Sequence, residues 1–140
     1  MNQTTYNFIK HVITEMELEI TGHGATPGSL VVRDALKGIK NMQIQCLSHR
    51  MILEQKIMET PDNGPGCFAE LLKINRQLEQ GAFVMNHAGT EIFFRDTLEI
   101  DNLDRNELAA SLNGVSLALM EFGDRLMEMH TNHHGQSHSN

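Results

Sequence analysis

The sequence is poor in aromatic residues and in positive charge. It contains no tryptophan and one tyrosine, and its 11 Lys and Arg residues are outnumbered by 18 Asp and Glu, giving a formal net charge of -7. The basic residues are scattered along the chain, whereas binding to a phosphate backbone relies on clustered cations that release counterions. We therefore expect no nucleic-acid partner.

Long apolar runs are also missing. No segment reaches the roughly 20 apolar residues that cross a bilayer, and the first residues, MNQTTYNFIKH, lack the basic region and cleavage site of a secretory signal. The sequence therefore predicts a cytoplasmic protein that does not bind a membrane. Only two cysteines are present, Cys46 and Cys67, each in an apolar setting, and a reducing compartment would leave both thiols free.

Motifs that carry catalysis or hold a cofactor are absent from the sequence. There is no H-E-x-x-H or Cys-x-x-Cys pattern, and neither cysteine has an activating neighbour along the chain. Gly22, Gly24 and Gly28 suggest a phosphate loop only superficially, because no Lys-Ser or Lys-Thr follows them. A catalytic triad assembled from distant positions stays open. As a whole the sequence predicts a protein that is not an enzyme and has no cofactor and no functional metal site.

The second half of the chain carries the clearest pattern. The segment FAELLKINRQLEQ predicts a helix with one apolar face, and Gly81 marks its end. The residues on that face are Phe68, Leu71, Leu72, Asn75 and Leu78. Next, the residues from Asn86 to Gly89 separate two runs rich in β-branched and aromatic side chains, which predicts a β-hairpin.

A long closing helix follows the hairpin. Asp104 and Glu107 have the spacing of a capping box, in which each side chain satisfies a free amide of the first helical turn. Apolar residues then recur every three or four positions and form one seam: Leu108, Leu112, Val115, Leu119, Phe122, Leu126 and Met129. This seam either packs on the protein's own sheet or forms a contact between subunits.

The first half is more weakly patterned. Thr4 or Thr5 is a candidate cap for a helix whose apolar residues share one side. Those residues are Phe8, Ile9, Val12, Ile13 and Met16. The stretch TGHGATPGS predicts a loop, residues 34–41 are consistent with a turn of helix, and alternating apolar and polar residues over 42–46 and 50–58 predict half-buried strands.

The length of the chain fits one domain. A chain of 140 residues can bury a core without disulfides or a structural metal, so we expect a single domain over residues 1–129. Residues 130–140 contain four histidines, His130, His133, His134 and His138, in a polar chain end with Gly135. That composition predicts a disordered tail, in which metal binding would be adventitious.

The order of these elements resembles the type III secretion chaperone fold, as found in the CesT class I effector chaperones and the related YbjN family. The resemblance is most specific in FAELLKINRQLEQGAF and in the hairpin that ends in FFRDTLEIDNLDRNELAASL. The matching positions are Leu71, Leu72 and Asn75, then Gly81, then Leu98 and Ile100. The resemblance implies an α+β fold: an N-terminal helix, an antiparallel sheet, a helix, a hairpin and a long amphipathic C-terminal helix.

The resemblance also implies a function. The chain is expected to be a homodimer without catalytic activity that binds an extended segment of a client protein along apolar patches and strand edges. We predict that the partner-binding residues are Phe8, Val12, Ile44, Ile52 and Leu53. We predict that the dimer interface contains Phe68, Leu71, Leu72 and Leu78. The alternative is a YbjN-like regulatory or accessory protein that has the same fold but acts outside secretion.

Overall fold

The computed structural model describes the backbone of residues 3–24, 26–62 and 64–138, and side chains up to residue 129. Its helices are α1 (Gln3–Glu15), α2 (Gly64–Asn75) and α3 (Arg105–His138), with a short 3-10 turn at Ala35–Lys37. Its strands are β1 (Glu19–Gly22), β2 (Ser29–Asp34), β3 (Ile39–Cys46), β4 (Arg50–Glu59), β5 (Ala82–Met85) and β6 (Glu91–Glu99). This is the predicted α+β order of elements.

The strands form one antiparallel six-stranded sheet in the order β1-β2-β3-β4-β6-β5. The predicted hairpin is confirmed, because β5 and β6 pair from Ala82 and Arg95 to Met85 and Ile92. The same β6 also pairs with β4 along nine residues, which joins the hairpin to the sheet of the first half. The two edge strands of the sheet are therefore β1 and β5.

One face of the sheet supports the core, and the helices pack on it. Along β3 and β4, buried residues alternate with more exposed ones, as in a sheet with one covered face. Ile9 of α1, Ile44 of β3 and Leu71 of α2 belong to the same buried cluster. Polar contacts also join the elements: Arg105 of α3 pairs with Glu15 of α1 at 3.5 Å.

Helix α3 begins as the sequence predicts. The Asp104 carboxylate accepts a hydrogen bond from the Glu107 main-chain N–H at 2.8 Å, which satisfies one of the free donors of the first turn. Most of the predicted seam lies in the core, with Leu119 and Met129 partly buried against it. The seam therefore packs on the protein's own sheet, which was the first of the two alternatives.

The bounds of three predicted elements were wrong. Helix α1 already includes Gln3, so Thr4 and Thr5 lie inside its first turn rather than at a cap. Helix α2 runs from Gly64 to Asn75 instead of 68–80; Pro65 fits its first turn, where a helix does not need the missing N–H. Of residues 34–41, only Ala35–Lys37 is helical, and the rest belongs to β2 and β3 or to the turn between them.

The single domain over 1–129 and the disordered tail stay predictions. Helix α3 is assigned to His138, beyond the expected domain end at Met129. The side chains of the four histidines named above lie outside the described residues.

Candidate protein-binding surface

The β5 edge of the sheet is closed by a side chain. Asn75, the last residue of α2, donates from Nδ2 to the carbonyl of Phe83 at 3.0 Å and accepts from the N–H of Phe83 at 2.8 Å. The amide thus occupies the two main-chain groups that a further strand would need at the centre of β5. Helix α2 itself packs against this strand, so β5 is a poor template for strand addition.

The β1 edge is open. Among the residues the structure describes, no main-chain hydrogen bond joins Glu19–Gly22 to any element other than β2. Thr21 lies at a bulge, because Ile20 pairs with Val32 and Gly22 already pairs with Val31. Glu19 and Thr21 are exposed, and Ile20 is half-buried against the core. The unpaired side of β1 is therefore accessible to an incoming chain.

The predicted partner-binding residues do not form one surface. Val12 and Ile44 are fully buried and Leu53 is 2% exposed, because they lie on the helix and strand faces that meet in the core. These three side chains are closed to a partner in this conformation. Phe8 and Ile52 are half-buried and reach the surface, but Phe8 lies on α1 and Ile52 on the sheet face that the helices leave uncovered.

The predicted dimer residues are also divided. Leu71 is 5% exposed and belongs to the core, whereas Leu72 beside it is 70% exposed, so these two do not share a face. Phe68 and Leu78 are half-buried. The accessible part of this surface is Leu72, with Met85 at the end of β5 as another exposed apolar residue.

Sequence reasoning missed a second apolar surface, along the middle of α3. Ile57 and Met58 of β4 face Leu119, Leu126 and Met127 of α3 across a groove of about 620 Å³, which we call the α3 groove. Met127 is 68% exposed, and Leu36 in the 3-10 turn is fully exposed. The regular spacing of Met120 and Met127 outside the main seam was a weak signal, whereas nothing in the sequence marked Leu36.

Charged residues line the rim of this groove. Lys56 forms hydrogen bonds with Glu59 and Glu91, which raise the pKa of Lys56 to about 12. Lys40 and Asp124 line the groove as well, and their side chains have no ion-pair partner among the described residues. Among the described residues, the groove thus carries one charge of each sign that has no ion-pair partner.

The described residues offer little for catalysis. No group of three His, Cys, Asp or Glu side chains in that part of the chain could hold a metal ion. Cys46 and Cys67 are free and buried, and burial raises the pKa of both thiols, which lowers the thiolate fraction that a nucleophile needs. Within residues 3–24, 26–62 and 64–138, no helix combines the length and apolar character of a membrane span.

Solved structures share this architecture. YbjN from E. coli superposes with a TM-score of 0.61 at 11% identity, covering 86% of this chain and 92% of that one. The HopA1-SchA chaperone-effector complex gives 0.58 at 11% identity, covering 86% and 95%. The Yersinia pestis type III secretion chaperone SycH, solved with a fragment of YscM2, gives 0.56 at 12% identity, covering 89% and 98%.

These likenesses establish the fold alone, because all three identities are low. No curated protein matches the chain at the level of sequence. A family model, by contrast, matches almost the whole length, residues 1–132. The chain therefore belongs to the CesT_Tir_1 family and has the fold of type III secretion chaperones.

Proposed function

We propose that this protein is a non-enzymatic chaperone that holds an extended segment of a client protein, and that the client pairs as a strand with the open β1 edge. The observation that carries the proposal is the difference between the two sheet edges. Asn75 occupies the main-chain groups of Phe83 on β5, while Glu19–Gly22 makes main-chain hydrogen bonds only with β2 among the described residues.

Strand addition fits the chemistry of this edge. Main-chain hydrogen bonds provide affinity that does not depend on the client's sequence, and pockets for alternate side chains provide selectivity. Three half-buried apolar residues pack against the core on this side of the molecule: Tyr6 of α1, Met16 in the turn after it, and Ile20 of β1. Apolar side chains of the client would extend that packing.

We further propose that the protein is a homodimer. Of the residues predicted to form the dimer interface, Leu72 is exposed, and Phe68 and Leu78 are half-buried. Covering an exposed leucine with a partner's apolar surface removes that side chain from water and stabilises the assembly. Light scattering of the full chain at micromolar concentration tests the homodimer, and the mass of a single chain would contradict it.

The client proposal is tested with a pair of variants at Ile20. The carbonyl of Val31 faces β1, so Val32 and its partner Ile20 form a non-hydrogen-bonded pair, and the N–H of Ile20 points to the open side of β1. Ile20→Pro removes that N–H, whereas Ile20→Val keeps it. The clients to co-express are N-terminal segments of proteins encoded beside the gene. We expect hydrogen exchange of residues 19–22 to slow in the complex with wild type and Ile20→Val, and binding to be lost in Ile20→Pro.

Two controls sharpen this test. Circular dichroism must show that Ile20→Pro is folded, since proline is tolerated at an edge strand. Affinity should change little between low and moderate salt, because apolar contacts and strand pairing are not screened as exposed ion pairs are. Binding by Ile20→Pro equal to that of wild type, or an affinity that collapses with salt, would contradict the proposal.

The alternative function is that of a YbjN-like accessory protein. The observation in its favour is the structural likeness to YbjN, with a TM-score of 0.61. The nature of the client decides between the two functions: a secreted effector segment supports the chaperone, and a client that stays in the cell supports the accessory protein.

A further inference from the structure

The turn between β2 and β3 presents a leucine to solvent. Leu36 is fully exposed and lies in the 3-10 turn Ala35–Lys37. Gly38, with φ +77°, closes this turn by donating its N–H to the Ala35 carbonyl at 3.2 Å. The side chain of Gln55 in turn donates to the Gly38 carbonyl at 3.0 Å. The leucine therefore projects from a turn that hydrogen bonds hold in place.

Basic residues flank this leucine in a segment that we call the basic turn, residues 33–40. It carries Arg33, Lys37 and Lys40, and Asp34 is its single acidic residue. Arg33 and Lys37 each have a carboxylate within 4.0 Å, whereas Lys40 has no ion-pair partner among the described residues. The whole chain has a net charge of -7, so the basic turn is a positive spot on an acidic molecule.

A cleft with the opposite charge lies between the loop that follows α2 and the middle of α3. This acidic cleft has a volume of about 420 Å³, and its lining includes Leu78, Glu79, Leu117, Met120 and Glu121. Leu117 is 56% exposed and Met120 is 80% exposed, so apolar surface is accessible in the cleft. None of the lining residues is basic. A volume of this size is in the range of pockets that hold small ligands, and it admits a leucine side chain.

The carboxylates of the acidic cleft are not neutralised from within the chain. Glu79 and Glu121 are exposed, and neither forms an ion pair with another residue that the structure describes. Two cations of α2 and α3, Lys73 and Arg125, pair with Glu70 instead. The cleft therefore suits an apolar side chain that has positive charge beside it, because complementary charges select and orient a partner.

The basic turn and the acidic cleft of one chain face different sides of α3. At Gly38, in the basic turn, an added Cβ would lie 3.1 Å from Leu119 of α3. The cleft is lined by Gly114 and Glu121, which are about 140° and 160° from Leu119 around the helix at 3.6 residues per turn. The two surfaces therefore do not meet within one molecule, and a second copy is the partner that carries the complementary surface.

We propose that the basic turn of one copy inserts into the acidic cleft of a second copy. Leu36 packs on Leu117 and Met120, whose flexible thioether adapts to it, and the lysines of the turn approach the two carboxylates of the cleft. Each copy in the contact keeps one free turn or one free cleft, so the contact is heterologous and assemblies grow with concentration. This surface differs from the one proposed for the homodimer, which contains Leu72, and the inference goes beyond the proposed function.

Charge reversal tests whether the two surfaces pair. One variant reverses the turn, Lys37→Glu with Lys40→Glu, and another reverses the cleft, Glu79→Lys with Glu121→Lys. Sedimentation velocity measures the mass from micromolar to near-millimolar concentration, because the net negative charge opposes association and keeps the contact weak. We expect the mass of wild type to grow with concentration and that of each reversed variant to stay constant. An equimolar mixture of the two should assemble again, since the acidic turn of one fits the basic cleft of the other.

Matched variants separate docking from a general attraction between proteins of different charge. Lys37→Arg keeps the charge of the turn and should assemble as wild type does. Leu36→Ser removes the apolar side chain and should weaken the association about tenfold or more. Introduced into both reversed variants, Leu36→Ser should also abolish their assembly in the mixture, which a general attraction would survive. Urea unfolding of each variant verifies that it is folded.

Three results would overturn the inference: a wild-type mass that does not grow with concentration, growth that persists in Leu36→Ser, or reversed variants that stay apart when mixed. Leu72→Ser distinguishes this contact from the homodimer. Growth should persist in that variant, and its loss there would show that the assembly uses the homodimer surface, which also overturns the inference. The client function is judged separately, by hydrogen exchange at residues 19–22 and the Ile20 variants, so either proposal can fail without the other.

Discussion

Asn75 and Phe83 are joined by two hydrogen bonds, of 3.0 and 2.8 Å, between one side-chain amide and one main-chain residue. The pair ends helix α2 and covers the edge of β5 at the same time. Asn75 is the last residue of α2, and its amide takes the place of a seventh strand at the centre of β5. An antiparallel edge strand with free main-chain groups is a site of unwanted association, and this contact protects β5 from it.

Replacing Asn75 with leucine should destabilise the protein and open the second edge. The N–H and carbonyl of Phe83 would lose their partners, at roughly 1–3 kcal/mol for buried groups left unsatisfied. Urea unfolding measures this cost, and Asn106→Ala on the exposed start of α3 is the control, expected within about 0.5 kcal/mol of wild type.

Association should change in the same variant. With β5 uncovered, Asn75→Leu should form larger assemblies at a concentration where wild type and Asn106→Ala keep a constant mass in light scattering. If Asn75→Leu is as stable as wild type and has the same mass in light scattering, the Asn75 contact does not protect the β5 edge.

The sequence predicted the type and order of the main elements because their signals are local. Alternation around Met42 and Ile44 and the recurrence of Leu108 and Leu112 depend on neighbours within a few residues. The end of α2 could not be predicted, since it depends on a contact between Asn75 and Phe83, which no local pattern announces.

The surface was harder to predict than the fold, for a physical reason. The predicted partner-binding residues were chosen because of the helix or strand that carries them. Whether such a side chain is buried depends instead on which face of that helix or strand meets the core. Ile44 and Leu53 are opposite each other in neighbouring strands and both point into the core, whereas Ile52 lies on the other face. Leu36 is apolar and fully exposed, which only tertiary structure reveals.

Replacement by alanine should change the stability of the protein in opposite directions at two glycines. At Gly81 the backbone has φ +71°, and an added Cβ would lie 2.4 Å from Phe94, so Gly81→Ala should be destabilising through strain and overlap. Strain and overpacking of this kind cost roughly 1–3 kcal/mol each. At Gly123 the added Cβ meets nothing within 4 Å, so Gly123→Ala should stabilise α3 by about 0.5–1 kcal/mol.

Thermal unfolding of the two glycine variants checks this contrast. Gly123→Ala should melt above wild type and Gly81→Ala below it. Stabilisation by Gly81→Ala would show that the turn before β5 is not held in the left-handed conformation.

Helix α3 offers a comparison of leucines five residues apart. Leu112 is fully buried and Leu117 is 56% exposed, so the same truncation removes core contacts in one case and mainly solvent contacts in the other. Leu112→Ala should cost about 2–5 kcal/mol, because the loss of transfer free energy and the cavity add. Leu117→Ala should cost well under half of that, and equal urea midpoints for the two variants would contradict the placement of the seam.

The buried thiols should make the protein less stable at alkaline pH. Burial raises the pKa of Cys46 and Cys67 above their ordinary value of 9.0, so the folded chain keeps protons that the unfolded chain loses. Stability from this source is complete below pH 9 and is lost as the pH rises through the folded pKa values. Wild type should therefore lose more unfolding free energy between pH 7.5 and 10 than a Cys46→Ala, Cys67→Ala variant, since other titrating groups are common to both.

Labelling with a thiol reagent gives an independent measurement of the same effect. At pH 8 the native protein should react far more slowly than the urea-unfolded chain, because the reagent attacks the thiolate and both sulfurs are covered. The double variant controls for the pH slope, and each single variant shows which thiol is responsible. If the unfolding free energy falls equally with pH in wild type and the double variant, and the native protein is labelled fast, then the cysteines are not buried and their pKa values are not raised.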